Sequence, residues 1–154
     1  MKVNPDAQIA FGNKPEIAVT GDYPTLTDID IAYGKGFAVE WLIPQLTSLS
    51  RFAGAQNITG VQNAELARLI ASEYHYLKVT ELMLFFYRFK NGCYGRFYGA
   101  FDPLLITCAL REFITDRNRI IEKCEQTERE RRAAEHRRRA ISYDEYLRRK
   151  EAGL

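Results

Sequence analysis

Residues 78–90 read KVTELMLFFYRFK. Six apolar side chains between Leu82 and Phe89 cover nearly the whole circumference of a helix, which is typical of a helix buried on all sides. Asn91 and Gly92 follow and favour a helix C-terminus there. We therefore predict a central helix at about residues 78–90, with other helices arranged around it.

The segments upstream of this helix have the apolar spacing of amphipathic helices. Residues 37–53 and 59–74 carry apolar residues three and four positions apart, which predicts one buried face on each helix. Thr59 with Gln62 predicts a capping box at the start of the second. Pro44 is expected to kink or restart the first.

The segment downstream predicts one long helix. Asp102 followed by Pro103 is typical of a helix start. Apolar residues then recur at helical spacing as far as Cys124, after which residues 125–139 are nearly all charged. Glutamates four residues before arginines support helix formation in this charged stretch. We expect a C-terminal helix whose second half has no apolar stripe.

Two further patterns predict helix starts. Thr27 with Asp30 predicts the cap of a short helix near residue 25. Ser142 with Glu145 predicts a capping box and, after it, a short terminal helix.

Residues 1–24 are unlike the rest, because three prolines and two glycines break helices there. Two short apolar runs predict either a small hairpin or a mobile arm that docks on a partner, and the pattern favours neither. The predicted fold is all-α: a compact bundle of about four to five helices with a long charged C-terminal helix and an irregular or hairpin N-terminal arm. The predicted divisions are an arm at 1–24, a helical domain at 25–124 and a charged helical arm at 125–154.

The loop at residues 92–101 interleaves aromatic residues and one arginine with glycines. Exposed aromatic rings beside an arginine form a stacking surface for single-stranded bases. The alternative is that the rings fill the gap between two helices. The glycine spacing matches no nucleotide-binding motif. The candidate binding residues are Tyr94, Arg96, Phe97 and Tyr98.

Basic residues cluster near the C-terminus. From Arg129 to Lys150 there are nine Lys or Arg against four Asp or Glu, a pattern that can neutralise phosphates. Interspersed glutamates favour the alternative of a solvated, self-paired helix. The triplet at 137–139 favours an anionic partner, because only its last arginine follows a glutamate by four residues. The candidate residues are Arg131, Arg132, Arg137, Arg138, Arg139, Arg148 and Arg149.

No residue pattern indicates catalysis. His75 and His136 have no partners at metal-ligand spacing, and no serine lies in a nucleophile motif, so we predict no enzyme activity, metal or cofactor. Three cysteines without a CxxC motif indicate free thiols in a reducing cytoplasm. The longest apolar run is too short to span a membrane, so we expect a cytoplasmic protein without membrane contact.

Five short stretches together resemble a family of small uncharacterised helical proteins from Bacteroidetes-type bacteria, their phages and mobile elements. The resemblance extends over about residues 25–120 and implies no established activity. A weaker similarity is to phage helicase-loader proteins, whose charged tail engages the replicative helicase, and it implies an accessory role in DNA replication. The stretches are WLIPQL (41–46), LARLI (66–70), YLKVTELMLFF (76–86), YGRFYG (94–99) and DPL (102–104).

These observations predict a non-enzymatic adaptor of a phage or mobile element. It would bind nucleic acid, or a nucleic-acid-bound replication protein, through the charged arm and the aromatic–arginine loop. The alternative is a structural or assembly protein that oligomerises through the last long helix, or docks its arm on a protein partner.

Overall fold

The computed structural model of the chain describes residues 5–54 and 58–153, apart from the side chain of Ile141. Helices and no strands occupy this part of the chain, so the all-α prediction is confirmed. The helices are α1 (Ala7–Gly12), α2 (Pro15–Thr20), α3 (Leu26–Tyr33), α4 (Phe37–Ala53), α5 (Gly60–Glu73), α6 (Val79–Lys90) and α7 (Pro103–Glu151).

The chain divides into two compact units, one up to Ile120 and one from Ile121 on. The predicted division at residues 24 and 124 stays a prediction. Residues 1–4 of the predicted N-terminal arm and residue 154 of the C-terminal arm lie outside the described residues.

Helix α6 forms the centre of the first unit, as its composition predicts. Nine of its 12 residues are buried, and it contacts α1, α2 and α4. The ring of Phe85 also packs against Phe113 of α7, with ring centroids 5.5 Å apart. A helix with apolar residues on every side gains most free energy when neighbours cover its whole circumference.

The N-terminal segment is helical, so the prediction of a hairpin at residues 1–24 is wrong for the part that the structure describes. Pro15 is the first residue of α2, where its missing N–H costs no hydrogen bond. Gly12 is the last residue of α1, and Gly21 caps α2. These residues therefore mark helix boundaries and do not prevent helix formation.

Four side chains attach this segment to the body of the first unit. The amide of Gln8 donates to Gln45 at 2.7 Å, and both residues are buried. Lys78 and Thr80 of the α6 region donate to backbone oxygens of α2 and its cap, at 2.6 to 2.7 Å. Gly12 lies against the ring of Tyr87, where an added Cβ would come within 2.1 Å of Cγ. Long-range polar contacts of this kind leave no local pattern in the sequence.

The predicted cap of α3 is displaced by two residues. Thr25 and Asp28 form the capping box, so the assignment to Thr27 and Asp30 is wrong. The carboxylate of Asp30 accepts instead the backbone N–H of Ala38 at 2.7 Å and so connects α3 to α4. A pattern of Thr and Asp three residues apart occurs twice here, and tertiary contacts decide which one caps the helix.

Other local predictions are confirmed. Thr59 and Gln62 form the capping box of α5. The carboxylate of Asp102 accepts the N–H of Leu104 at 2.9 Å, as expected at the start of α7. The expected restart at Pro44 is wrong, because α4 continues through this residue, and the kink stays a prediction.

Helix α7 extends without a break over 49 residues, from Pro103 to Glu151. The hydroxyl of Ser142 donates to the carbonyl oxygen of Arg138 at 2.9 Å, a contact typical of a serine inside a helix. The predicted cap at Ser142 and the separate terminal helix after it are therefore wrong. From residue 121 to 153, none of the described side chains is buried.

Candidate functional site

The loop at residues 92–101 is attached to the first unit by a row of aromatic rings. Tyr94 is only 8% exposed, and its ring centroid lies 5.7 Å from that of Phe85. Phe97 lies between Phe89 and Phe101, at 5.4 and 4.8 Å. Of these two candidate residues, Tyr94 is buried and Phe97 is half-buried against other rings, as the gap-filling alternative expects.

The other two candidate residues of this loop face solvent. Tyr98 is 83% exposed, and the guanidinium of Arg96 lies over its ring, 5.2 Å from the centroid. A cation over one face of an aromatic ring is attracted by the π electrons and leaves the opposite face accessible. Gly95, at φ 104°, adopts a backbone conformation that other residues rarely reach.

A second aromatic–cation pair lies near the first and was not predicted. Phe52, at the end of α4, is 63% exposed, and the ammonium of Lys90 lies 5.6 Å from its ring centroid. Lys90 also donates to the hydroxyl of Ser48 at 3.0 Å. Burial lowers the pKa of Lys90, and Asp6 opposes this effect.

A cleft of about 230 Å³ is lined by three of the four residues of these pairs, Phe52, Lys90 and Arg96, whereas Tyr98 is outside its lining. We call it the aromatic–cation cleft. Lys90 and Arg96 give its lining two positive charges, and no carboxylate is among the described lining residues. Gly92 and Gly95 form part of one wall, and because they have no side chains a ligand can come close to their backbone. Its lining residues are Leu49, Phe52, Ala53, Phe89, Lys90, Gly92, Gly95, Arg96 and Phe97.

A larger cleft of about 570 Å³ lies on another part of the first unit. Arg88 and Arg119 face the carboxylate of Asp116, at 4.0 and 3.6 Å, and Glu112 lines the same cleft. The hydroxyl of Tyr94 donates to Asp116 at 3.4 Å. Two arginines and two acids balance each other in this lining, so it attracts anions less than the aromatic–cation cleft does.

In the second unit, three of the basic candidates form ion pairs on the helix surface. Arg131 and Arg132 both contact Glu128, at 2.7 and 3.2 Å. Arg149 contacts Glu145 at 2.8 Å, and Arg131 also reaches Glu135 at 3.5 Å. The hydrogen bond from Arg131 lowers the pKa of Glu128. For Arg131, Arg132 and Arg149, the self-paired alternative agrees with the geometry.

The remaining arginine candidates have no carboxylate partner in the described part of the chain. Glu135 contacts Arg131 and leaves Arg139 without the expected pair. Arg137 donates only to the backbone oxygen of Ala133, at 3.4 Å. Arg138 lies seven residues after Arg131 and therefore on the same side of the helix. The arginines without an ion pair are Arg137, Arg138, Arg139 and Arg148.

The part of the chain that the structure describes contains no group of three or more His, Cys, Asp or Glu side chains placed to hold a metal ion. None of the described helices combines the length and apolarity required to cross a membrane.

Residues 58–153 match the model of a family of unknown function, DUF6633. This match covers more than half of the chain. The chain belongs to this family. The DUF6633 match includes α5, α6, the loop at 92–101 and α7, whereas Phe52 lies outside it. No curated protein and no solved structure matches the chain.

Proposed function

We propose that this DUF6633 protein is a non-enzymatic adaptor of a phage or mobile element, which binds nucleic acid or a nucleic-acid-bound replication protein. The observation that carries the proposal is the charge of α7 between residues 137 and 148. Arg137, Arg138, Arg139 and Arg148 have no carboxylate partner within the described residues, so their charges are available to phosphates.

Two further features support this function. Arg96 and Tyr98 present a cation and an open aromatic face on the first unit. The free cysteines Cys93 and Cys108 are exposed, which suits a protein of a reducing cytoplasm. The resemblance to phage helicase-loader proteins supports a role in DNA replication, where single-stranded and duplex DNA occur together.

A salt titration of DNA binding tests the proposal. The full chain is mixed with a labelled single-stranded oligonucleotide, and anisotropy is measured at increasing salt. We expect affinity to fall with salt, and Arg137→Ala/Arg138→Ala/Arg139→Ala to reduce the slope of log affinity against log salt by about two, at about 0.7 per lost phosphate contact.

The matched control is Glu125→Ala/Arg129→Ala, which removes one surface ion pair of 3.8 Å without changing the net charge. It is expected to keep the wild-type slope. Circular dichroism checks that both variants keep the helix. If wild type and triple variant alike fail to bind DNA at low salt, the nucleic-acid version of the proposal is wrong.

A second candidate function is assembly through a protein partner. It is favoured by an apolar patch near the end of α7, where Tyr143, Tyr146 and Leu147 are 61%, 58% and 37% exposed. Sedimentation at several protein concentrations distinguishes the two functions, because assembly through this patch predicts oligomers without nucleic acid. Tyr143→Ala/Leu147→Ala is expected to abolish such oligomers and leave DNA binding unchanged.

A further inference from the structure

We infer that the aromatic–cation cleft of the first unit binds unpaired nucleotides, and so gives the protein a preference for single strands over duplex. The inference rests on the proposed nucleic-acid function and adds to it a site that includes Phe52 and Lys90. Its basis is the repetition of one arrangement, an exposed ring with a cation over one face, at Phe52–Lys90 and at Tyr98–Arg96.

Each pair offers the two groups that one nucleotide requires. The open ring face accepts a base by stacking, and the cation beside it neutralises a phosphate. Phe52 and Tyr98 are 63% and 83% exposed, so neither ring is enclosed by the protein itself. A single strand presents base and phosphate at every residue and can occupy both pairs in succession.

Stacking on the open rings requires an unpaired base, which disfavours a duplex. The cleft itself is small, since its volume of about 230 Å³ is below the roughly 300 Å³ at which pockets for drug-sized ligands begin. Bases in a duplex are stacked on both faces, so they enter only after the duplex opens locally, at a cost in free energy.

The charge of the cleft selects an anionic ligand. Lys90 and Arg96 line it without a carboxylate among the described lining residues, in contrast to the balanced cleft around Asp116. The carboxylate of Asp6 acts on Lys90 from outside this lining and offsets part of the positive charge. A protein partner whose C-terminal residue is aromatic also combines a flat ring with a negative charge, but it offers this combination only once. It would occupy one aromatic–cation pair, whereas adjacent nucleotides occupy both, so the repeated arrangement favours the nucleic acid.

The experiment uses the full chain and a thymidine oligonucleotide that carries one 2-aminopurine, whose fluorescence is quenched when the base stacks. We expect quenching on binding of the single strand and weaker binding of the matching duplex. Phe52→Ala and Tyr98→Ala are each expected to weaken single-strand binding about tenfold and to reduce quenching at saturation. Phe52→Trp, which keeps an aromatic ring at this position, is expected to retain the affinity and the quenching of wild type.

Ile31→Ala is the control, because Ile31 is 79% exposed on α3 and does not line the cleft. It is expected to behave as wild type. The triple arginine variant at 137–139 is expected to weaken the binding of single strand and duplex alike, with quenching at saturation unchanged. This separates the cleft from the arginines of α7.

Each alternative result has one meaning. Equal binding of single strand and duplex, unaffected by Phe52→Ala, would overturn the cleft while leaving the proposed function intact. If neither DNA binds, the nucleic-acid function fails and the cleft inference fails with it. Binding of a peptide with a C-terminal tryptophan that depends on Phe52, without quenching by the oligonucleotide, would assign the cleft to a protein partner.

Discussion

Arginine–glutamate pairs occur in both units, but their surroundings differ. In the first unit, Glu81 is completely buried, and Arg117 contacts it at 2.8 Å. In the second unit, Glu128 contacts Arg131 and Arg132 while all three side chains stay between 41% and 75% exposed. Burial makes the first pair a constraint on packing, whereas the exposed pairs only support a helix and compete with ligands for the same arginines.

The largest effect is expected from breaking the buried pair. Arg117→Met leaves the carboxylate of Glu81 without its cation in the interior and is expected to lower the free energy of unfolding by about 3 kcal/mol. Chemical denaturation followed by circular dichroism measures it. Glu81 also accepts the N–H of Lys78 at 2.9 Å, so Glu81→Gln in the variant background is expected to recover part of the loss. If Arg117→Met has the same unfolding midpoint as wild type, the buried pair constrains packing no more than the exposed pairs do, and the comparison is wrong.

A smaller effect is expected from the buried hydroxyl of Tyr94. Burial raises its pKa from 10.0 to about 12. Because the folded pKa is higher than the unfolded one, the group's contribution to stability is complete below pH 10 and is lost as pH rises through about 12.

Denaturation at several alkaline pH values checks this expectation. Wild type is expected to lose stability relative to Tyr94→Phe between pH 10 and about 12, since the variant has no hydroxyl to ionise. Parallel curves for the two proteins over this range would show that the Tyr94 hydroxyl has an ordinary pKa, and hence that the loop at 92–101 packs less tightly.

The smallest effect on stability is expected in the second unit. Glu128→Gln removes the shared partner of two arginines on an exposed surface and is expected to leave the unfolding midpoint unchanged. The same substitution is expected to raise the affinity for DNA, because Arg131 and Arg132 become available to phosphates.

DNA-binding anisotropy of Glu128→Gln should therefore show higher affinity and a steeper dependence on salt than wild type. Glu122→Gln is the control, since it removes an equal charge on the same helix and Glu122 forms no ion pair with an arginine among the described residues. A clear loss of stability in Glu128→Gln would mean that the ion pairs of the second unit contribute more to the free energy of unfolding than is expected of solvent-exposed pairs.

The candidate site was only half predictable from the sequence. Arg96 and Tyr98 are close together in a glycine-rich loop, so their association is local and visible in the chain order. Phe52 lies near the end of α4 and Lys90 is the last residue of α6. Nothing in the sequence of either helix indicates that the Phe52 ring contacts the Lys90 ammonium. Tyr94 and Phe97 were candidates by composition, but packing against α6 uses their rings.

The sequence by itself determined the approximate positions of α3 to α6 and the start of α7, because apolar spacing, capping pairs and proline or glycine at helix ends act over a few residues. It also determined where the apolar stripe of α7 ends and which side chains carry charge. Only the tertiary structure decided that α1 and α2 are held by Gln45, Lys78 and Thr80, that Thr25 caps α3, and that Phe52 meets Lys90. These contacts join residues far apart in the chain, and their free energy exists only once the core has brought them together.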